Sequence, residues 1–288
     1  MKKAVFVLIF CLFPSLLAAE EVRVLTFNIR LSLGEIGKPA AWKNRREHVA
    51  QIIRDGKYDF VGVQEAILTD RPDLNQVEDL KRMLPEYEIY TRSRMVNPEE
   101  GESTPILWRR DRWERDATEY GCFWLSDTPE VPQSITWNNA CPRTVVWGRF
   151  HELADGKRTG KSVYFYNTHF DHISELARQN SARQIATFIE NRKDKTAPAF
   201  LTGDMNCGER SVGMTYLKER FTDTFRAANP DAKAIQTFHG FGKVTYDEKI
   251  DYIFLDGKGT VRSSQILRDK KGELFPSDHY PVNATVAF

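Results

Sequence analysis

The sequence predicts a mixed α/β (α+β) chain in which two β-sheets pack face to face and helices cover the outer faces. Three observations predict it. Early in the chain, short apolar runs with strand alternation are separated by longer patterns of helical period. The middle of the chain is rich in strands and poor in helices. No internal repeat or low-complexity linker interrupts either part, so the pattern reads as one domain. Simple strand–helix alternation fits this order poorly, and two packed sheets with outer helices fit it better.

Taken in order, residues 1–19 read as a signal peptide and 20–288 as the domain. Lys2 and Lys3 form a positive start, residues 4–17 are almost wholly apolar, and Ala18-Ala19 supplies small residues for cleavage. The apolar run is short for a membrane span and has no stop-transfer flank, so no stable membrane insertion is expected after cleavage. An uncleaved anchor is the alternative. Export places the protein in a periplasmic or extracellular compartment.

The stretch EVRVLTFNIR (21–30) sets Val22, Val24, Thr26 and Asn28 against Leu25 and Phe27, as a buried strand does. NRREHVAQIIRDGK (44–57) follows as a helix, with Asn44 as N-cap and Val49, Ile52 and Ile53 on its apolar face. DFVGVQE (59–65) is a strand ending in a carboxylate, and VEDLKRML (77–84) is a helix stopped by Pro85. Strands are expected at YEIYTRS (87–93), TPILWRR (104–110), GCFWLSD (121–127) and TVVWGRF (144–150). SVYFYNTHFDH (162–172) begins as a strand and ends in polar residues. A long helix covers 174–192. APAFLTGDMN (197–206), KIDYIFLD (249–256) and PVNATVAF (281–288) complete the strands.

The 288-residue chain is 41% hydrophobic and 12% aromatic, enough for a substantial core. Removing Lys2 and Lys3 from the 41 Lys and Arg leaves 39 against 40 Asp and Glu, a net charge near −1. Committed duplex binders carry a strong basic surplus, because phosphate neutralisation supplies most of their affinity. That class is disfavoured, although a local basic patch stays open. Three cysteines follow the leader: Cys122, Cys141 and Cys207. Export favours disulfides, and Cys122 with Cys141 could pair or both remain thiols. No zinc spacing is present.

Several strands end in polar groups that a core does not favour. Asn28 ends the first and Gln64-Glu65 the second. His169 lies in the polar end of a middle strand, followed by Asp171 and His172. Asp204 and Asn206 end a later one, Asp251 opens another, and Asp278-His279 precedes the last. Taken singly, each has a plain reading as a turn or cap residue. Asp251 is the least ordinary, because an Asp inside an apolar strand needs a partner. If the ends converge, the set is rich in oxygen and free of thiolate, which suits Mg²⁺, Mn²⁺ or Ca²⁺ better than zinc.

The segments TFNIR, QE, NTHFDH, GDMN, IDYIF and SDHYPV, in this order, resemble the endonuclease/exonuclease/phosphatase superfamily of metal-dependent phosphoesterases. FWLSDTPE, CPRTVVWGRF and TFHGF further resemble its small exported bacterial branch. The resemblance spans essentially the whole mature chain. It implies a four-layer α/β/β/α sandwich of two mixed sheets, with the site at one edge of both. It implies Glu65, Asn28 and Asp278 in or near the metal shell, for Mg²⁺ or Mn²⁺. It implies Asp204 as the group that orients or deprotonates water, with Asn206 holding the same region. It implies Asp251 as the partner that orients His279, and His279 as the phosphate-binding histidine. His169 stands where nuclease branches often carry Tyr, which counts against a generic DNA-repair enzyme.

Three further readings follow from the residues. Arg143 is a candidate phosphate clamp, with a structural ion pair as the alternative. His239 and Phe238 are candidates to line a substrate pocket. Arg178 and Arg183 read as a solvated helix face or as substrate contacts. The expected activity is hydrolysis of a phosphoester, a diester ahead of a monoester, by a monomeric enzyme. Nucleic acid, a phospholipid head group and a small sugar or nucleotide phosphate are the candidate substrates. A non-catalytic module that keeps the fold is the rival.

Overall fold

The computed structural model describes residues 21–288, so the expected signal peptide lies outside the described residues. In chain order the first strands are β1 (Glu21–Asn28), β2 (Phe60–Gln64), β3 (Ala66–Leu68), β4 (Tyr87–Tyr90), β5 (Gly101–Ser103), β6 (Ile106–Arg109) and β7 (Trp113–Trp124). The later strands are β8 (Thr144–Ala154), β9 (Lys157–His169), β10 (Ala199–Asp204), β11 (Thr222–Asp223), β12 (Asp251–Asp256), β13 (Thr260–Ile266) and β14 (Val282–Ala287). The helices are α1 (Trp42–Gly56), α2 (Gln76–Met83), α3 (Glu175–Glu190), α4 (Val212–Lys218) and α5 (Thr224–Ala228).

Two six-stranded mixed sheets form, in the orders β13-β14-β1-β2-β6-β4 and β11-β12-β10-β9-β8-β7, and β3 pairs with β5 in a separate ribbon. The sheets pack face to face through Val24, Phe60, Ile106, Phe150, Phe165, Phe200, Ile253 and Val286. Phe60 is central: its ring stacks on Phe165 at 5.2 Å and meets Phe150 edge-on at 5.0 Å. Each such side chain stabilises the fold by roughly 2–3 kcal/mol through burial. α1 and α2 cover the outer face of the first sheet through Val49, Ile53, Val77 and Leu80. α3 and α4 cover the second through Ala182, Ile185, Ala186, Ile189 and Met214. The result is the four-layer sandwich expected.

Local chemistry sets the helix starts. α3 begins at the expected Ser174, whose hydroxyl accepts from Ala177 N at 3.1 Å. α1 begins two residues earlier than expected. Ala41 occupies its N-cap without a side-chain cap, and Asn44 lies inside the first turn, donating to Pro39 O at 3.0 Å. The start is fixed instead by tertiary bonds: Trp42 Nε1 donates to Asp79 Oδ2 on α2 at 2.8 Å.

Register brings the polar strand ends to one edge. β1 and β2 run parallel with Asn28 opposite Gln64, and β9 and β10 run parallel with His169 opposite Asp204. β12 runs antiparallel to β10, with Asp251 opposite Asp204. β14 runs antiparallel to β1, so the turn that precedes it, carrying Asp278 and His279, returns to the end of β1. Beneath this edge a buried polar layer joins the two sheets. Gln64 Nε2 donates to Asn167 Oδ1 at 2.7 Å and Thr202 Oγ1 donates to the same oxygen at 3.0 Å. Asn167 Nδ2 donates to Val63 O and Pro105 O at 2.7 and 2.9 Å. Gly62 makes this approach possible, because a Cβ there would sit 2.1 Å from Thr202 Oγ1.

Cys122, Cys141 and Cys207 are free thiols, so the Cys122–Cys141 bridge does not form. Among the described residues no helix is long and apolar enough to cross a membrane.

Candidate active site

At the converging edge lies a cleft of about 740 Å³, lined on one side by Arg30, Glu65 and Asp278 and on the other by Arg94, Arg143 and His172. His169, Asp204, Asn206 and His279 also line it, as do Phe238 and Phe241.

Glu65 directly follows β2 with a left-handed backbone (φ 62°), a conformation costly for a residue with a Cβ. Its carboxylate compensates. Oε1 accepts from Asn28 Nδ2 at 3.0 Å, and Oε2 accepts from Leu31 N at 2.9 Å. Asn28 Nδ2 also donates to Asp204 Oδ2 at 3.0 Å, so one amide ties carboxylates from both sheets. The other oxygen, Asp204 Oδ1, accepts from Asn206 N at 2.9 Å. Asn206 is itself left-handed (φ 49°), which Asn tolerates, and its Nδ2 donates to Phe170 O at 3.0 Å.

Two imidazoles face Asp204. His169 Nε2 lies 3.5 Å and His279 Nε2 3.7 Å from Asp204 Oδ2. Burial opposes ionisation of Asp204, but the two rings outweigh it and hold its carboxyl below the ordinary range. Behind His279, Asp251 Oδ2 sits 2.9 Å from Nδ1. Burial disfavours a charged His279, yet Asp251, Asp204 and Asp278 overcome it and raise the ring to about 10. These carboxylates favour the imidazolium form of His279, whose Nε2 lies on the Asp204 side of the ring.

On the opposite side Arg143 is buried. Its Nη2 meets His172 Nδ1 at 3.0 Å, and its Nε and Nη1 have no hydrogen-bond acceptor. Donors of this kind, facing a cleft, suit an anion.

A family model for the endonuclease/exonuclease/phosphatase family matches residues 25–279. The chain belongs to this family. Among solved structures, the family protein from Bacteroides vulgatus is 31% identical, with 93% of this chain and 99% of that one covered and a TM-score of 0.83. A mannosyl-6-phosphatase from Bacteroides thetaiotaomicron is 29% identical over 93% of this chain and 100% of its own, with a TM-score of 0.82. TDP2 from D. rerio, bound to a single-strand DNA product, shares the fold at 15% identity, a TM-score of 0.71, and coverage of 93% of this chain and 99% of that one. No curated protein matches.

In this family chain the expected site residues Asn28, Glu65, His169, Asp204, Asn206, Asp251, Asp278 and His279 all meet at one edge. They do not all face the cleft. Asn28 is fully buried, with its N–H groups turned to two carboxylates and its Oδ1 accepting from Arg30 N at 3.0 Å. Asp251 lies behind His279, with Oδ1 lacking a partner. Of the three expected metal-shell residues, Glu65 and Asp278 line the cleft.

Those two carboxylates suit a divalent cation. Both are buried, and Arg30 lies between them, 3.7 Å from Glu65 and 3.6 Å from Asp278. Burial raises the Asp278 pKa, and the Glu65 charge adds to it, an unfavourable state that a cation would relieve. A second grouping, Asp204, Asp251 and His279, places ligand atoms within 4.8 Å of one another and could also hold a metal ion. The 2.9 Å pairing of His279 with Asp251 competes with that use.

Other expectations fare differently. Phe238 lines the cleft, but His239 does not. The His239 ring is sandwiched behind it, 4.0 Å from Tyr280 and 4.5 Å from Phe275, and burial lowers it to about 4. Its backbone N–H donates to Asp278 O at 2.9 Å, so it supports the turn that carries Asp278 and His279. Arg178 donates to Asp171 O at 3.0 Å and Arg183 packs over Tyr216; neither lines the cleft. Asp171 caps the approach to α3 by accepting from Ile173 N and Ser174 N.

Among the charged residues that line the cleft, Arg30, Glu35, Lys38, Arg94, Glu102 and Lys243 escaped the sequence reading. The motif Asn-Ile-Arg points to Arg30. Glu102 and Arg94 reach the cleft from the β3–β5 ribbon and the loop beside it, where no strand-end pattern marks them.

Proposed function

We propose that the chain is a divalent-metal-dependent phosphoesterase acting on a small phosphoester held in the cleft. The observation that carries this is the convergence at one carboxylate: Asp204 is flanked by His169 and His279 at 3.5 and 3.7 Å, in a cleft that also holds Arg143, whose Nη1 and Nε lie 3.6 and 3.9 Å from Glu102 and Asp171 but make no hydrogen bond.

Glu65 and Asp278 would hold Mg²⁺ or Mn²⁺, with Asn28 fixing Glu65 and Asp204 relative to each other. A divalent cation at those oxygens supplies positive charge to a bound phosphate and to the departing oxygen. The protein's own groups do the rest. Asp204, kept ionised by two imidazoles, orients a water for attack on phosphorus and takes its proton. Asn206 fixes that carboxylate through its backbone N–H. His279 and Arg143 donate to the equatorial phosphate oxygens, where charge accumulates in the transition state. His279 also has a proton to give the leaving oxygen, and Asp251 holds the ring for that transfer. His169 stands on the other side of Asp204 and can donate to the same phosphate.

Diester and monoester hydrolysis both fit this chemistry. Sequence reasoning placed the diester first. Two observations support a monoester: the likeness to the Bacteroides thetaiotaomicron mannosyl-6-phosphatase, and the gathering of Arg94, Arg143, His169 and His279 around one cleft, matching a dianion. Export by residues 1–19 belongs to this reading as a further proposal.

The test is phosphate release from a panel of sugar phosphates beside bis-p-nitrophenyl phosphate and single-stranded DNA, each with Mg²⁺ or Mn²⁺. Turnover of sugar monoesters at least ~10-fold above the diesters supports the monoester. The reverse order restores the diester, and turnover of none defeats the proposal.

A further inference from the structure

A second group of metal-ligating side chains stands at the rim of the cleft, apart from Glu65 and Asp278. Cys141, Asp171 and His172 place their ligand atoms within 4.8 Å of one another. Cys141 and His172 line the cleft. Cys141 is a half-buried free thiol, Asp171 is buried and His172 is exposed. Their separation in the sequence carries no zinc spacing, so the fold alone brings them together. β8 and β9 pair antiparallel with Val145 opposite Thr168, and the loop that enters β8 therefore meets the turn that leaves β9.

Backbone bonds hold the group in place. Ala140 N donates to Asp171 Oδ2 at 2.9 Å, which fixes the residue before Cys141 against the carboxylate. Asp171 Oδ1 accepts from Ile173 N and Ser174 N at 3.0 and 2.8 Å, which fixes the residues after His172. Little conformational entropy is left to lose when an ion arrives. The position also draws positive charge already. Arg143 Nη2 meets His172 Nδ1 at 3.0 Å, and Arg143 Nε lies 3.9 Å from Asp171 Oδ2.

We propose that Cys141, Asp171 and His172 form a Zn²⁺ site, separate from the hard-cation site, and that zinc bound there inhibits the enzyme. One sulfur, one nitrogen and one oxygen make a borderline-soft set, which selects zinc over Mg²⁺. Three protein ligands leave the fourth tetrahedral position open toward the cleft for water. Binding releases the thiol proton to solvent, because a coordinated thiol is deprotonated. The ion takes over the Asp171 charge and the His172 ring that now hold Arg143. The phosphate clamp then loses its support, while Glu65 and Asp278 keep Mg²⁺. The zinc site stands without the phosphoesterase reading, and the inhibition rests on it.

The site is read from the wild-type protein, stripped of metal, kept in excess Mg²⁺ and titrated with Co²⁺. A thiolate–cobalt bond adds a charge-transfer band in the near ultraviolet that Co²⁺ on oxygen ligands lacks. The band should saturate at one Co²⁺ per chain and disappear when Zn²⁺ is added. It should be absent in Cys141→Ser, kept in Cys122→Ser, and need at least ~10-fold more Co²⁺ in His172→Ala. No band in the wild type, or the same band in Cys141→Ser, overturns the proposal.

Inhibition is read separately, on phosphoester turnover in excess Mg²⁺. Zn²⁺ should slow the wild type, and Cys141→Ser should need at least ~10-fold more Zn²⁺ for the same fractional loss of its own rate. Equal sensitivity would place the inhibitory ion elsewhere and overturn the inhibitory role. If the wild type hydrolyses no phosphoester, the function fails separately, and the cobalt band still decides the zinc site.

Discussion

Arg45 offers a test of how the fold holds the site. It lies on α1, fully buried, and donates to four carbonyls: Ala40 O and Ile29 O at 2.6 Å, Pro276 O at 2.8 Å and Arg30 O at 2.9 Å. Ile29 and Arg30 immediately follow Asn28, and Pro276 opens the turn that carries Asp278 and His279. One guanidinium therefore pins both halves of the acidic side. Burial lowers Arg45 to about 10, which leaves it charged at neutral pH. Arg45→Met keeps the bulk but strands four buried acceptors. At roughly 1–3 kcal/mol for each unsatisfied group, reduced by relaxation and entering water, the net loss is about 4 kcal/mol. For a chain of this size that lowers Tm by about 10 °C. Displacement of the two loops by even ~1 Å predicts a fall in kcat/KM of ~10²-fold. Arg45→Lys recovers little, because one ammonium cannot span carbonyls on three segments. Thermal melts and steady-state kinetics on the same preparations check this. An Arg45→Met protein within 2 °C of wild type and with unchanged kcat/KM refutes it.

Further outcomes follow from particular contacts. Burial works against the Glu102 charge, but His169, Arg94 and Arg143 outweigh it and hold the carboxyl at about 2, against an ordinary 4.5. Because the folded-state value is depressed, the stabilisation is complete above pH ~4.5 and disappears as pH falls toward 2. It amounts to about 3 kcal/mol. Urea melts from pH 6 to 2.5 should show Glu102→Gln losing most of its stability deficit at the acid end, and a deficit independent of pH would contradict this. Lys249, fully buried, donates to Asp223 Oδ2 at 2.7 Å and lies over the Tyr252 ring. Lys249→Met should cost ~3–5 kcal/mol by stranding Asp223, and adding Asp223→Asn should recover part of it; a single-variant loss below ~1 kcal/mol in chemical denaturation argues against the pair. Gly62→Ala forces the sheets apart at Thr202 and should destabilise by ~1–3 kcal/mol in the same assay, so an unchanged midpoint would show that the polar layer yields freely.

Much of the site was legible because a strand has a period of two and its ends are abrupt. Asp204, Asp251 and His279 stand out where an apolar run meets polar residues, and the ladder then brings Asp204 opposite both His169 and Asp251. Other parts leave no such mark. Glu102 belongs to a three-residue strand, too short to show periodicity. Arg45 resembles any basic residue of an amphipathic helix until the tertiary fold places carbonyls around it. His239 was misplaced for a different reason. The chain takes a left-handed path through Gly240, Phe241 and Gly242 (φ 55°, 58° and 77°), which presents Phe238 and Phe241 to the cleft and turns His239 away. Sequence can mark that segment as a turn without telling which ring faces outward. The α1 start was likewise fixed by the Trp42–Asp79 bond, a contact between helices that cap chemistry does not reveal.

The most direct test of the central claim is phosphate release from a sugar monophosphate by protein stripped with EDTA and then titrated with Mg²⁺, run beside Asp204→Asn and His279→Ala. Activity should be absent after stripping, return with Mg²⁺, and fall by at least ~10²-fold in either variant while the fold is retained. Turnover that survives EDTA, or variants that keep wild-type rates, would contradict the account.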